Sequence, residues 1–264
     1  MNNLFRKFIS FFIAIIVMIF IWIIVIVTIN PPEYILPTPI EVLSELYNNY
    51  NNYLSHTIST IWSVLYGLVL GIFIGVFLAV LSILARQAKS VIESFSVIIR
   101  TLPIVAIAPI IIICLGTERL AQIIIVTLVC FFPVFAATLR GMERADTSAI
   151  KLFKLYNSSK LQLFYNLQLP TAIPSIINSI PMAITLAILG ALVAEFTGYD
   201  KGLGSLVLRG LYNLNAKMLY ASNVLAALLG ILAYLFSFLL QLPFRRFIIT
   251  RDIESVDYDI NINK

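Results

Sequence analysis

The sequence predicts an all-α membrane protein with six transmembrane helices, and three observations predict it. Apolar residues make up 60% of the 264 and charged residues 12%, against roughly 45–50% and 25% in soluble domains. A soluble fold of this size has too little interior to hide so much Leu, Ile, Val and Phe. The apolar residues gather in charge-free runs of about 20, the length that crosses some 30 Å of hydrocarbon. Finally, the cations fall on one side of a six-span arrangement, as the positive-inside tendency requires.

The spans follow in order. Residues 8–29 form the first run, with only Ser10 and Thr28 as polar members. Arg6 and Lys7 precede it as in a signal peptide, but the run exceeds the usual apolar core of about 7–15 and no Ala-x-Ala site follows, so it reads as an uncleaved helix. Segment 31–52 holds three Glu, no Lys or Arg, and several Pro, Asn and Tyr. It reads as an outer loop with a short helix starting near Thr38 or Pro39. Residues 57–85 form the second span, 120–139 the fourth, 171–195 the fifth and 218–243 the sixth. Segment 101–117 is shorter and carries Pro103 and Pro109; by itself it fits a span, a re-entrant piece or a buried helix. Charge decides for a third span. With the amino terminus inside, 14 of the 18 Lys and Arg lie in inner segments, and only Arg119, Lys201, Arg209 and Lys217 lie outside. Omitting 101–117 would turn the basic 140–160 loop outward, against that tendency. Both termini are therefore expected in the cytoplasm, with residues 251–264 as a flexible tail.

Within the second span Ser59, Ser63, Gly67, Gly71, Gly75 and Ala79 recur at every fourth position. On a helix they make one stripe without bulk, against which another backbone approaches closely. Gly67, Gly71 and Gly75 are therefore assigned to helix packing. No ionisable residue sits mid-span; Glu195 and Arg100 lie at span ends. A proton- or sodium-coupled pump usually keeps a carboxylate at midplane, so transport by this chain would draw energy from elsewhere. His56 is the only histidine, at the mouth of a span, where a solvated or capping role is expected. No Ser-His-Asp set, metal cluster or G-x-x-x-x-G-K-[ST] phosphate loop occurs. No catalytic residue, metal or cofactor is expected, and the chain does not hydrolyse ATP by itself. Cys114 and Cys130 lie in apolar runs, which excludes a disulfide framework. The net charge of +5 concerns orientation and the anionic leaflet, because no basic cluster suits nucleic acid.

The 140–170 loop is the longest inner segment. Ala149, Leu152, Phe153 and Tyr156 recur at helical spacing, with Lys151 and Lys154 facing away. Asn157-Ser158-Ser159 then breaks the pattern, since Asn tolerates a left-handed backbone and Ser caps helices. A second short helix carries Leu161, Phe164, Tyr165 and Gln168 and is expected to end before Leu169-Pro170. Two short helices with exposed aromatics are shaped to enter a partner's groove; an interfacial helix lying on lipid headgroups is the alternative.

This loop resembles the E-A-A-x-x-x-G…I-x-L-P signature of inner-membrane permeases of binding-protein-dependent ABC importers. Leu169-Pro170 matches its L-P, and Pro174 follows. Counting back puts Asn157 at the glycine and Lys151-Leu152-Phe153 at E-A-A, so the acidic residue and the glycine are both replaced. Pro103-x-x-Ala106-x-x-Pro109 followed by Gly116, Leu36-Pro37-Thr38-Pro39, Ala191-x-x-Ala194-Glu195 and Gly202-Leu203-Gly204 resemble segments of the nitrate/sulfonate/taurine branch, in order along the chain.

The resemblance implies a type I, MetI-like fold in the bacterial inner membrane. It implies a second permease chain (a homodimer), a cytoplasmic ABC ATPase dimer that binds the ATP, and an extracytoplasmic substrate-binding protein. Asn157, Ser158, Ser159, Phe164 and Tyr165 would couple to the ATPase. Pro103, Ala106, Pro109 and Glu195 would lie near the passage or its gate; a rim ion pair of Glu195 with Arg209 is the competing reading. Substrates of the branch include sulfonates, nitrate and bicarbonate, and vitamin-like heterocycles such as thiamine-precursor pyrimidines and riboflavin. The expected passage is apolar without a fixed cation, which leans towards a neutral heterocycle. A secondary transporter would need an internal repeat or a midplane charge, and neither is seen. A non-transporting membrane scaffold shares the same hydropathy.

Overall fold

A computed structural model of the chain describes residues 2–85, 87–116, 119–198 and 200–241. The described residues are helical throughout: α1 (Asn2–Ile29), α2 (Pro39–Asn48), α3 (Tyr50–Leu84), α4 (Lys89–Thr101), α5 (Ile104–Leu115), α6 (Arg119–Glu143), α7 (Thr147–Leu155), α8 (Lys160–Leu163), a π turn (Phe164–Gln168), α9 (Leu169–Phe196), α10 (Leu203–Tyr212) and α11 (Ala216–Gln241). The expected tail at 251–264 lies outside the described residues.

The centre of the bundle is α6, held between α3 and α9. The small-residue stripe of α3 makes this possible. Gly67 lies on Val126 and Gly71 on Cys130, and a Cβ at Gly75 would stand 2.7 Å from the Phe131 carbonyl oxygen. The two backbones are close enough for the Thr127 hydroxyl of α6 to donate to the Gly67 carbonyl at 3.2 Å. On its other side α6 meets α9 through Val126, Cys130 and Val134 against Ala183, Ala187 and Ala191, all fully buried. Small residues on α9 let two long helices pack without bulk between them. Cys130 is buried and Cys114 exposed, and both are free.

Among the described residues four helices are long and apolar enough to cross a membrane: Tyr50–Leu84, Arg119–Glu143, Lys160–Phe196 and Ala216–Ser237. A fifth arises if α4 and α5 together form one bent span. Within the expected third span, 101–117, the helix is only Ile104–Leu115, and it follows a break at Leu102-Pro103. Pro103 pushes Leu102 to an extended ψ of 130°, as a proline does to the residue before it, and the chain turns by 98° between α4 and α5. The 12 residues of α5 rise only about 18 Å, short of the hydrocarbon thickness. Lys89, at the start of α4, pairs with Glu143 at the end of α6 and ties the elbow to the bundle.

The second loop helix also differs from expectation. It does not end before Leu169-Pro170 but runs on through the π turn into α9. In that turn the Leu169 amide bonds the Phe164 carbonyl, five residues back. The widened turn shifts the carbonyl register just where Pro170 has no N–H to give and its ring needs room.

Near the other end of the bundle, α2 begins with a capping box: Thr38 N donates to Glu41 Oε2 at 2.7 Å and Glu41 N to Thr38 Oγ1 at 3.3 Å. Pro39 supplies the first helical residue. Lys217 of α11 reaches Glu41 at 2.8 Å and Glu33 at 3.4 Å. The Lys217 ammonium and the Thr38 cap hold the Glu41 carboxyl well below the usual carboxylate range, at about 2.

Two glycine substitutions separate packing from helix propensity. At Gly75 a valine must displace α6 backbone, at a cost of about 1–3 kcal/mol, and should lower the thermal unfolding midpoint of the purified protein by several degrees. Gly230→Ala, on α11 with no atom within 4 Å of the added Cβ, should leave that midpoint unchanged or slightly raised.

Candidate functional site

A cavity of about 890 Å³ opens between α4, α5, α6 and α9. One face of α6 supplies most of its wall, from Leu128 and Phe132 through Ala136 and Ala137 to Arg140, with Arg144 just past the helix end. These positions recur every three or four residues, so a single helical face runs from apolar to basic. Across the cavity α9 contributes Ser175, Asn178 and Ser179 below Met182, Leu186 and Leu189. Pro133, the two alanines and the two serines keep the space open. Polar groups are confined to one end, the end of the bundle from which α7 also departs.

That end is strongly basic. Arg100, Arg140 and Arg144 line the cavity, and no Asp or Glu does. Among the described residues no carboxylate lies within ion-pair distance of these arginines, whereas neighbouring Lys89 is paired twice. Arg100 lies over the Phe132 ring at 4.8 Å, a cation–π contact that also places it on the cavity wall. This cavity therefore differs from the apolar passage without a fixed cation that was expected. The i, i+4 relation of Arg140 and Arg144 to the Phe132–Ala136 face was legible in the sequence. The arrival of Arg100 was not, because it depends on the 98° elbow.

The residues expected at the passage fall elsewhere. Pro103 forms the elbow and is exposed, Ala106 is exposed, and Pro109 is half-buried; none of them lines the cavity. Helical phase explains this: α5 turns Ile104 and Ile107 to the cavity and packs Ala108 and Ile112 on Ala121, Ile125 and Ala194. Ala106 then shares the outward face with Val105 and Ile113, which nothing in the single chain covers. Glu195 sits at the opposite end of the bundle, 0% exposed, with Oε2 accepting from the Gly204 amide at 2.8 Å. It makes no rim pair with Arg209, whose guanidinium instead donates to the Asp200 carbonyl at 2.7 Å and lies 3.7 Å from that residue's carboxylate. His56, expected at a solvated mouth, is buried with Nδ1 against the Gly202 backbone, 2.9 Å from its carbonyl oxygen and 3.0 Å from its amide nitrogen.

The 144–168 loop is built from caps. Asp146 caps α7 through the amides of Ser148 (3.0 Å) and Ala149 (3.4 Å). Asn157, at φ 51°, ends it: its amide bonds the Lys154 carbonyl at 3.1 Å and that of Ser158 the Phe153 carbonyl at 3.0 Å. These are the paired bonds of a Schellman ending, which needs a left-handed residue at that position. Ser159 then opens α8 in a capping box with Gln162. Leu155 (81% exposed), Tyr156 (78%) and Tyr165 (62%) present an apolar, aromatic surface, with Leu152 and Leu161 beside them. Phe164 does not belong to it. It is 4% exposed and packs with Met142 and Ala172, because the π turn faces it towards α6. Its assignment as a docking side chain is corrected to one that seats the loop on the bundle.

The family described as binding-protein-dependent transport system inner membrane component matches residues 67–249, more than half of the chain. The chain belongs to this family. Among its relatives are a probable ABC transporter permease protein of Haemophilus influenzae, 29% identical over 83% of this chain and 89% of that one, and the formylaminopyrimidine transport permease ThiX of Halalkalibacterium halodurans, 29% identical over 76% and 81%. The putative aliphatic sulfonates transport permease SsuC of Escherichia coli is 29% identical over 57% of each chain. The permease shares the fold of the inward-facing MetNI methionine ABC transporter, with a TM-score of 0.57 at 19% identity over 73% of this chain and 94% of that one. It is thus an ABC importer permease subunit of MetI-like fold.

The left-handed turn of this permease can be tested directly. Asn157→Gly should keep the α7–α8 turn. Asn157→Val should strain it by about 1–2 kcal/mol, seen as roughly tenfold faster amide exchange at Ser158.

Proposed function

We propose that this permease forms half of a transmembrane passage, paired with a second copy of itself, and that the 144–168 loop is where a cytoplasmic ABC ATPase dimer docks. The basic end of the bundle is then the cytoplasmic side, with both termini there, α1 and the α4–α5 elbow completing six spans, and an extracytoplasmic binding protein delivering solute to the far end. The observation that carries this reading is the joint placement of two features. A surface of Leu155, Tyr156 and Tyr165, ordered by three caps, sits at the same end as the mouth of the cavity. A partner that grips this surface can pull on α9 directly, because the loop is continuous with it. Closure of the ATPase dimer would thereby bias the bundle between two arrangements. Asn157, Ser158 and Ser159 set the angle of the grip, Tyr165 makes contact, and Phe164 anchors the loop from behind.

The solute is a small organic molecule carrying an anionic group. Three unpaired guanidiniums beside Asn178, Ser175 and Ser179, with an apolar roof of Met182, Leu186 and Leu189, suit an oxyanion with a short apolar body. The similarity to the sulfonate permease supports this choice. A second reading, a neutral heterocycle, is favoured by the longer match to the formylaminopyrimidine permease. A secondary transporter or inert scaffold is not favoured, given the family.

Tyr165→Asp or Leu155→Asp should reduce co-purification of the ATPase at least tenfold without loss of membrane insertion; unaltered recovery of the ATPase rejects the docking surface. In the assembled system, Arg140→Ala with Arg144→Ala should cut uptake of labelled ethanesulfonate at least tenfold. Efficient uptake of labelled formylaminopyrimidine by the wild type, unaffected by that pair of changes, would select the heterocycle instead.

A further inference from the structure

Helix α10 is preceded by Gly202 at its N-cap, which has no side chain with which to cap it, and the amides of residues 202–204 are met by side chains from other helices. His56 Nδ1 meets the Gly202 backbone, 3.0 Å from its amide nitrogen and 2.9 Å from its carbonyl oxygen, while Leu203 N donates to Thr60 Oγ1 at 2.9 Å and Gly204 N to Glu195 Oε2 at 2.8 Å. His56 and Thr60 lie one turn apart on α3; Glu195 lies in the last turn of α9. Ser205 closes the turn on the Gly202 carbonyl at 2.8 Å. All four side chains are buried. Hydrogen bonds of this kind gain strength away from water, and a carboxylate at the start of a helix also meets the positive end of its dipole.

The two glycines exist for this contact. Gly202 has φ 114° and a Cβ there would run into the Glu195 carboxylate. A Cβ on Gly204 would stand 2.7 Å from the Leu192 carbonyl oxygen and 2.8 Å from Glu195 Cβ. Among the described residues Glu195 Oε1 has no hydrogen-bond partner. An apolar residue would avoid that cost but leave the buried Gly204 amide without an acceptor, so the side chain is retained for the bond it makes to α10. None of these groups touches the cavity at the basic end.

We propose that His56, Thr60 and Glu195 are positioning residues that clamp the ends of α3, α9 and α10 into one body, which moves without internal rearrangement when the passage changes its opening. This rests on the transport reading, and it adds where the far end of the bundle is rigid. Because α10 has no cap of its own, its start follows α3 and α9 wherever they go. The force that enters α9 through the 144–168 loop at one end is thereby delivered to two further helices at the other.

The test uses the complex of this chain with its ATPase and binding protein. Amide exchange at residues 202–204 in the wild type should be slow both without nucleotide and with a non-hydrolysable ATP analogue, within about threefold of each other. Exchange more than tenfold faster in either state overturns the single body. In liposomes, the readout is solute moved per ATP hydrolysed, with labelled ethanesulfonate or formylaminopyrimidine as probe. Thr60→Val and Glu195→Leu remove an acceptor and should lower that ratio at least fivefold. Thr60→Ser and Glu195→Gln keep one and should stay within twofold of wild type. A ratio equal to wild type in the first pair, or an equal fall in both pairs, overturns the clamp. A wild-type complex that moves neither probe counts against the transport reading instead, and the amide protection then decides the clamp by itself.

Discussion

The close approach of α3 and α6 is the contact on which the remaining architecture depends. In hydrocarbon there is no hydrophobic force to press helices together, because lipid is as apolar as leucine, so association rests on close van der Waals packing. The stripe from Gly67 to Gly75 lets α6 lie directly on the α3 backbone. The α6 face turned to α9 is thereby set, and so is the face left open towards Arg140 and Arg144. Bulk inserted into that seam would move the cavity wall as well as the core.

Polarity in this chain is segregated to the two ends of the bundle, and each end handles it differently. At the basic end Arg100, Arg140 and Arg144 line an open cavity, with no carboxylate in ion-pair distance among the described residues. At the other end the Glu195 carboxyl, the His56 imidazole and the Thr60 hydroxyl are buried and meet the opening backbone of one helix. An enclosed ionisable group is costly unless bonded, so the closed end holds its geometry, while the open end is free to exchange partners. Between them the seam of α6 with α3 and α9 is lined mainly by small and branched apolar side chains, with the Thr127 hydroxyl bonded to the Gly67 carbonyl.

The 144–168 loop joins these properties to the outside of the molecule. Its three caps order a surface that the single chain leaves bare, and the π turn carries that order into α9 without a hinge. Phe164 shows the division of labour within one turn: it faces Met142 and Ala172, while the adjacent Tyr165 faces away.

Much of this was legible in the sequence. The apolar runs, the glycine stripe, the capping residues Thr38 and Ser159 and the left-handed Asn157 are local consequences of side-chain chemistry, each decided within one or two turns of chain. Periodicity also placed the loop helices. What sequence could not decide was which distant surfaces meet. The elbow at Pro103 brings Arg100 into the cavity and turns Ala106 out of it; the π turn buries Phe164; and the fold of α10 onto α3 and α9 encloses Glu195 and His56, which looked like rim residues. Those outcomes depend on helix phase and on bends that accumulate over many residues, so a shift of one position, about 100° of rotation, exchanges a wall residue for a lipid-facing one. Composition and local pattern determined that this chain is a membrane bundle with a capped loop; only tertiary packing decided where its charges face.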